Sequence, residues 1–374
     1  MGIVSEEAID EFQELMDQAE EPLKKTFERV HQRYLRENLG RFLKARDWNV
    51  CKAHTMVCLP NSLCALSDSI QSLCLSCLIA HTVSSSTFSW LKCLRWRVDN
   101  EIDSILSKPI VPTELYRDVR DSQLIGMSGY TKEGLPVFAI GVGLSTFDKA
   151  SVHYYVQSHI QINEYRDRVL LPSMSKKNGR PITACVKVLD MTGLKLSALS
   201  QIKLVTIIST IDDLNYPEKT NTYYVVNAPY IFSACWKVVK PLLQERTRQK
   251  VHVLSGCGMD ELLKIMDFTS LPHFCRRGSS GSSHHTQSAN CFSIDHPFHQ
   301  QLYNYVKHHY ETRGQAEPAK QGSFHVGFPE PEAERCVIAK TIESELHKIE
   351  NCNSLAMSTG DRKASHEKLE DDEP

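Results

Sequence analysis

From Leu124 to Phe268 the chain alternates two hydrophobic periods, and that alternation constrains its fold more than any other feature. Short apolar runs read as strands: Gly134 to Val142 (GLPVFAIGV), Ile182 to Asp190 (ITACVKVLD), Thr222 to Asn227 and Lys250 to Leu254. Helical spacing fills the intervals, from Asp148 to about Leu171, from Ser197 to about Leu214, and from Tyr230 to Lys240. A further helix is expected over Met259 to Phe268. Strands joined through helices need crossover connections, which build a largely parallel sheet covered by helices. The expected class is α/β.

Upstream the grammar is purely helical. Residues 5–18 place Ala8, Ile9, Phe12, Leu15 and Met16 at helical spacing. Glu20-Glu21-Pro22 opens a second helix, with acids and proline where a helix start favours them. Leu35 to Met56 supplies one or two more, with Leu39, Phe42, Leu43 and Trp48 turned inward. Together these predict a small N-terminal bundle. Val57 to Lys92 breaks the pattern: thirty-six residues carry two charges, Asp68 and Lys92, and no regular period. Its apolar centre, Leu73 to Val83, is shorter than the ~20 residues a bilayer span needs. Helical style resumes at Cys93-Leu-Arg-Trp-Arg97, so the segment reads as an insertion into a helix. Cys74 and Cys77 form a C-x-x-C without the βα context of a redox motif, which favours incidental spacing.

Beyond Phe268, Arg276 to Ser288 is a Gly/Ser-rich linker, and residues 295–311 and 332–350 read as helices. The acidic end, Glu370 to Glu373, is expected to be disordered. The domain expectation is 1–110 for the helical unit with insertion 57–92, 111–276 for the α/β lobe, and 277–374 for linker, short helices and tail.

With 43 basic and 45 acidic residues the net charge is −2, which argues against a dedicated nucleic-acid binder. Thirteen cysteines, odd in number and without framework spacing, fit free thiols in a reducing compartment. No apolar run follows a basic start, so a secretory signal is not expected. The enzyme marks are also missing. Gly141-Val142-Gly143 does not continue into a dinucleotide loop, and neither a P-loop nor a nucleophile elbow occurs. Asp212 and Asp213 are adjacent and diverge on a helix, and nothing fixes Cys291, His296 and His299 as a metal set. No enzyme activity, cofactor or metal is expected. What stands out instead is the helix from Tyr230, where Ile231, Phe232, Ala234, Cys235, Trp236, Val238 and Val239 leave Lys237 and Lys240 as its charges. It reads either as a core helix or as one with a side on a cavity or membrane, where an indole beside lysines suits the headgroup depth.

Several motifs then converge. Arg41-Phe-Leu-Lys-Ala-Arg46, Asn215-Tyr-Pro-Glu-Lys219, Asn227-Ala-Pro229, Lys240-Pro241 and Leu271-Pro272 resemble the CRAL-TRIO (Sec-fourteen-like) lipid-transfer proteins, plant branch. The resemblance covers roughly residues 10–56 and 93–275. It implies a helical N-terminal bundle and a CRAL-TRIO lobe around a lipid cavity, with phosphatidylinositol as bound ligand and the membrane surface and lipid kinases as partners. It also implies a cytoplasmic monomer, peripheral to Golgi or plasma membrane and serving vesicle traffic. Carried over by position, Arg46, Glu218, Lys219, Thr247 and Lys250 would hold the headgroup, and Ile231, Phe232, Cys235, Trp236 and Val239 would line the gate and cavity. Lys250 would supply charge to a phosphate and Thr247 a hydroxyl. A Glu218–Arg46 salt bridge and a solvated Lys219 are the bland readings of the same residues. Cys185 and Lys187 stand where choline-binding members carry small hydroxyl residues, which disfavours a choline cation. A scaffold or small-GTPase-regulating module, or a carrier of another hydrophobic ligand, is the alternative function.

Overall fold

In the computed structural model the described residues are 3–44, 48, 89–195, 201–276, 290–312 and 326–328, without 18, 32–34 and 243–244, together with scattered positions between 336 and 348. Most of the 57–92 segment and of the helix expected over 332–350 lies outside them, as do Arg46 and the acidic end.

The N-terminal unit forms because three amphipathic stretches can bury their stripes only against one another. Helices α1 (Ile3–Asp17), α2 (Glu21–His31) and α3 (Leu35–Lys44) meet through Ile9, Phe12, Met16, Leu23, Phe27, Leu39 and Leu43. Helix α4 (Ser89–Asp99) adds Leu94 to the same cluster. It begins at Ser89, so the last four residues assigned to the insertion are helical and continuous with Cys93-Leu-Arg-Trp-Arg97.

A five-stranded sheet in the order β1-β2-β3-β4-β5 follows. Strands β1 (Ile125–Tyr130) and β2 (Pro136–Gly141) pair antiparallel; β3 (Cys185–Asp190), β4 (Thr220–Val226) and β5 (Val251–Val253) continue in parallel. Lys250, expected as the first residue of the last strand, instead ends a short helix. Alternation sorts the two faces. Val137, Ala139, Val186 and Val188 point to a cluster with Leu262 of α11 (Met259–Ile265), Met266, Leu271 and Phe274. Phe138 and Cys185 point the opposite way, to Tyr155, Ile160 and Ile211. That second face is covered by α6 (Val152–Tyr165) and α8 (Ile202–Asn215), with α5 (Thr113–Ser122) beside them. Helix α6 runs through a π turn at Arg166–Leu170 into α7 (Leu171–Asn178). A mixed α/β fold with a largely parallel sheet is therefore what the alternation specifies.

The chain after residue 276 returns to this core. Helix α12 (Pro297–Thr312) buries Phe298, Leu302 and Val306 beside Tyr155 and Tyr165. Residues 290–292 run so close to β1 that a Cβ on Gly126 would collide with the carbonyl of Cys291. Farther on, the Gly327 carbonyl accepts from the Trp96 indole at 3.2 Å, and its N–H donates to Asn100 Oδ1 at 2.6 Å.

Candidate functional site

Helix α6 is buried on all sides from Tyr155 onward, so its polar residues need partners inside the protein. They fall into two stripes at helical spacing. Gln157, Gln161 and Glu164 face the segment before α5: both glutamines donate to the Lys108 carbonyl, at 2.9 and 2.7 Å. Glu164 accepts from Arg97 of α4 at 2.7 and 2.9 Å and from Tyr216 at 2.7 Å. Burial pushes the Glu164 carboxyl up, but Arg97 and Arg168 more than offset it and hold it down at about 2.

The second stripe is His159, Asn163 and Arg166. Asp212 of α8 meets His159 Nε2 at 2.6 Å, Asn163 at 2.8 Å and Lys187 of β3 at 3.3 Å. Burial works against the Asp212 charge, but His159 and Lys187 hold its carboxyl well below the carboxylate range. Lys187 also lies 5.7 Å from the ring centroid of Tyr223, its register partner on β4. Arg166 donates to Asn163 Oδ1 at 2.9 Å and to Asp167 at 2.7 Å.

The Asn215-Tyr-Pro-Glu-Lys219 turn connects α8 to β4 and points consecutive charges to different partners. Glu218 sits at a positive φ of 57°, which is costly for a residue with a Cβ and keeps the turn tight. Its carboxylate accepts from Lys250 at 2.8 Å. Lys250 closes α10 (Glu245–Lys250), and Thr247 lies one turn earlier on it, exposed. Lys219 reaches Asp167 at 3.0 Å. Burial and the neighbouring Arg41 guanidinium push its ammonium down to about 7. Asp167 is in turn held well below the usual carboxylate range, Arg166 and Lys219 overcoming the cost of its burial. Arg41 of α3 enters from the N-terminal unit; burial pushes its guanidinium down to about 10, against the pull of Asp167.

Of the residues expected to hold a headgroup, Glu218 and Lys250 are brought together, and Thr247 stands on the same short helix. Lys219 is turned to Asp167, and it is not the solvated residue of the bland reading. Arg46 lies outside the described residues. On α9 (Tyr230–Val239), Phe232 and Trp236 are half-buried and stack with centroids 6.0 Å apart, while Tyr230 is 82% exposed. The side chains of Ile231, Cys235 and Val239 lie outside the described set. Arg41, Arg166, Asp167 and Asp212 were not singled out as site residues from sequence. The available signal was the His159, Asn163, Arg166 spacing, which reads as a solvated face until its partners are seen.

Among the described residues no group of histidines, cysteines and acids is arranged to hold a metal ion. Nor is any helix there long and apolar enough to cross a membrane. A cleft of about 540 Å³ opens between α2 and the turn at Ile102–Ser107, but Lys25, Arg97, Glu101 and Lys108 line it, a poor match to acyl chains.

Residues 120–275 match the CRAL/TRIO domain and residues 8–58 match the CRAL/TRIO N-terminal domain. Phosphatidylinositol/phosphatidylcholine transfer protein SFH9 of Arabidopsis thaliana is 29% identical over 191 residues, 50% of this chain and 33% of its own length. SFH11 of the same plant, with the same description, is 30% identical over 208 residues, 54% of this chain and 55% of its own. The SEC14 cytosolic factor of Eremothecium gossypii is 26% identical over 197 residues, 51% and 63% of the two chains. The chain thus spans from about a third to under two thirds of these relatives. A solved structure described as "Crystal structure of Sfh5" aligns over 47% of this chain and 62% of its own at 22% identity, with a TM-score of 0.37, too low to carry the fold assignment. The paired domain matches and the transfer proteins found alongside them make this chain a Sec-fourteen-like member of the CRAL/TRIO family.

Proposed function

We propose that the chain binds an inositol phospholipid and exchanges it between membranes, as a carrier and not as an enzyme. The observation that carries this reading is the Glu218–Lys250 pair, with Thr247 one helical turn away and the Lys219–Asp167 pair beginning at the next residue of the turn. A carboxylate beside lysines can serve a ligand that is both phosphate and polyol, the lysines taking the phosphate and the acid taking ring hydroxyls. The names of the relatives, phosphatidylinositol/phosphatidylcholine transfer proteins and a cytosolic factor, support the same lipid class and a cytosolic, peripheral existence. Lys187 at the choline-associated position supports phosphatidylinositol over phosphatidylcholine. Helix α9 is the gate of this proposal, with Ile231, Phe232, Cys235, Trp236 and Val239 toward the acyl chains and Arg46 adding to the headgroup contacts. Each methylene taken from water contributes about 0.8 kcal/mol. Lipid kinases are the partners that such a carrier would supply.

Lipid extracted from the purified chain and read by mass spectrometry should be an inositol phospholipid. An isoprenoid or sterol as sole ligand would refute the headgroup assignment and leave the fold assignment standing. Lys250→Ala removes a charge-assisted contact, so transfer of phosphatidylinositol should fall roughly ten- to a hundredfold with the fold retained.

We further propose the division into a helical unit (1–110) interrupted by an insertion (57–92), a lipid-binding lobe (111–276) and a C-terminal segment (277–374) whose helix α12 packs back into the core of the lobe. If 57–92 is an abnormal insertion, deleting it with a short join raises the melting temperature; an unchanged or lower value counts against it.

A further inference from the structure

Two guanidiniums at the boundary between the N-terminal helices and the lobe are under-satisfied. Arg41 is 7% exposed, and its Nε and Nη1 meet no hydrogen-bond acceptor; Arg166 is 2% exposed, and its Nη2 meets none. The acceptors nearby are already engaged. One oxygen of Asp167 accepts from Arg166 and the other from Lys219. Glu218 is taken by Lys250, and Asp212 by His159, Asn163 and Lys187. Two cations thus contact Asp167, and Arg41 lies near enough to feel its charge and that of Arg166, with donors left over on both guanidiniums.

A buried donor without an acceptor costs about 1–3 kcal/mol, and more when it is charged. Excess buried cation of this kind needs a compensating anion. Fork-shaped guanidiniums match tetrahedral oxyanions, which present several oxygens at once. Arg166 also opens a π turn, a local widening that recurs at functional sites. Burial and the Arg41 charge depress the Lys219 ammonium, and an anion arriving beside it would offset both.

We propose that Arg41, Arg166 and Lys219 form a phosphate-binding site across the boundary of the two units, in which Arg41 and Arg166 are ligand-contacting residues additional to those already named. The ligand is a phosphate-type oxyanion, either the phosphate of a lipid headgroup or a free phosphate. The lipid case rests on the proposed function; the anion site itself does not. Because Arg41 comes from α3 and Arg166 from the lobe, the bound anion also ties the two units together.

The full chain is melted in chloride and in millimolar inorganic phosphate at matched ionic strength. Phosphate should raise the melting temperature of the wild type by several degrees and leave Arg41→Met and Arg166→Met unmoved. In chloride, Arg41→Met should melt no lower than the wild type, because it removes a guanidinium that burial disfavours, whereas Arg166→Met also removes the contacts to Asp167 and Asn163 and should melt lower. Arg36→Ala, on the exposed side of α3 where Arg36 pairs with Glu6 and Asp10, should keep the full phosphate response. A phosphate shift that is absent, or equal in all four proteins, overturns the site. If neither variant folds, broadening of the phosphorus resonance of inorganic phosphate by the wild type, and its absence, decide the matter in the same two directions.

Loading from phosphatidylcholine vesicles containing phosphatidylinositol separates the sources. Arg41-dependent stabilisation by phosphate together with at least a tenfold loss of loading in Arg41→Met identifies the lipid phosphate. Arg41-dependent stabilisation with no loading of any protein leaves the site standing for free phosphate, and the lipid-carrier reading falls. Equal loading of all proteins with no phosphate shift sinks the site and leaves the carrier reading standing.

Discussion

Lys219 is a residue whose chemistry is strongly altered by its position. An ordinary lysine keeps its proton to about 10.5, whereas burial beside Arg41 brings this one down to about 7. Between those two values the unfolded chain holds a proton that the folded chain has released, so stability rises with pH across that window. Below about 7 both states are protonated and the folded state carries the full cost of the buried charge. The ligand-free chain should therefore gain stability from pH 7 toward 10, and Lys219→Met should remove this residue's part of the slope and raise stability most at the low end. Melting curves of the two proteins across that range check the sign; a variant whose disadvantage grows as pH falls would show that Lys219 is a stabilising partner of Asp167 and nothing more. Glu218 and Lys219 were both legible as charged turn residues. Their opposite destinations were not, because they depend on Lys250 and Asp167, each supplied by another segment of the chain.

Helix α6 shows at the next scale why a site can hide in a correctly placed element. Its existence follows from its spacing, expected from Asp148 and observed from Val152. Its interior does not, because a helix carrying Gln157, His159, Gln161, Asn163 and Glu164 reads as one with solvated faces. Those residues can be buried because Arg97, Asp212 and the Lys108 carbonyl arrive from three other segments to satisfy them. The Arg97–Glu164 pair is the anchor between α4 and α6, with side chains almost wholly enclosed. Glu164→Gln leaves the guanidinium buried against a neutral amide, which should cost roughly 3–5 kcal/mol near neutral pH. Since the folded carboxyl is held at about 2, below its usual 4.5, the contribution is complete above about 4.5 and is lost as pH falls toward 2. Denaturant unfolding at pH 7 and pH 3 should therefore show the gap between wild type and variant narrowing in acid. A gap that is constant with pH would assign the effect to packing alone.

For the whole molecule, the boundary that sequence suggests and the boundary of the core differ. The CRAL/TRIO match ends at residue 275, and the Gly/Ser-rich run just after it looks like the end of a folded unit. The helix expected over 295–311 is present as α12, but its role is structural: Phe298, Leu302 and Val306 complete the cluster over α6. Periodicity reveals an apolar stripe without saying what it packs against, which is why the helix was legible and its docking was not. Gly126 on β1, where no Cβ would clear the Cys291 carbonyl, shows the lobe shaped to receive this returning chain. Each of the three side chains contributes about 1.5–3 kcal/mol on burial, against a total of 5–15 kcal/mol for a typical domain. A chain ending at residue 276 should therefore aggregate or melt without a cooperative transition, whereas one ending at residue 328 should melt within a few degrees of the full length. Calorimetry on the two truncations decides it: if the shorter one unfolds cooperatively at the full-length temperature, α12 is an accessory and the lobe is complete at the Leu271-Pro272 motif. If it does not, the folded unit that carries the headgroup site includes a segment beyond the family match, and lipid transfer by the shorter chain should be lost with the fold, despite intact Glu218, Lys219 and Lys250.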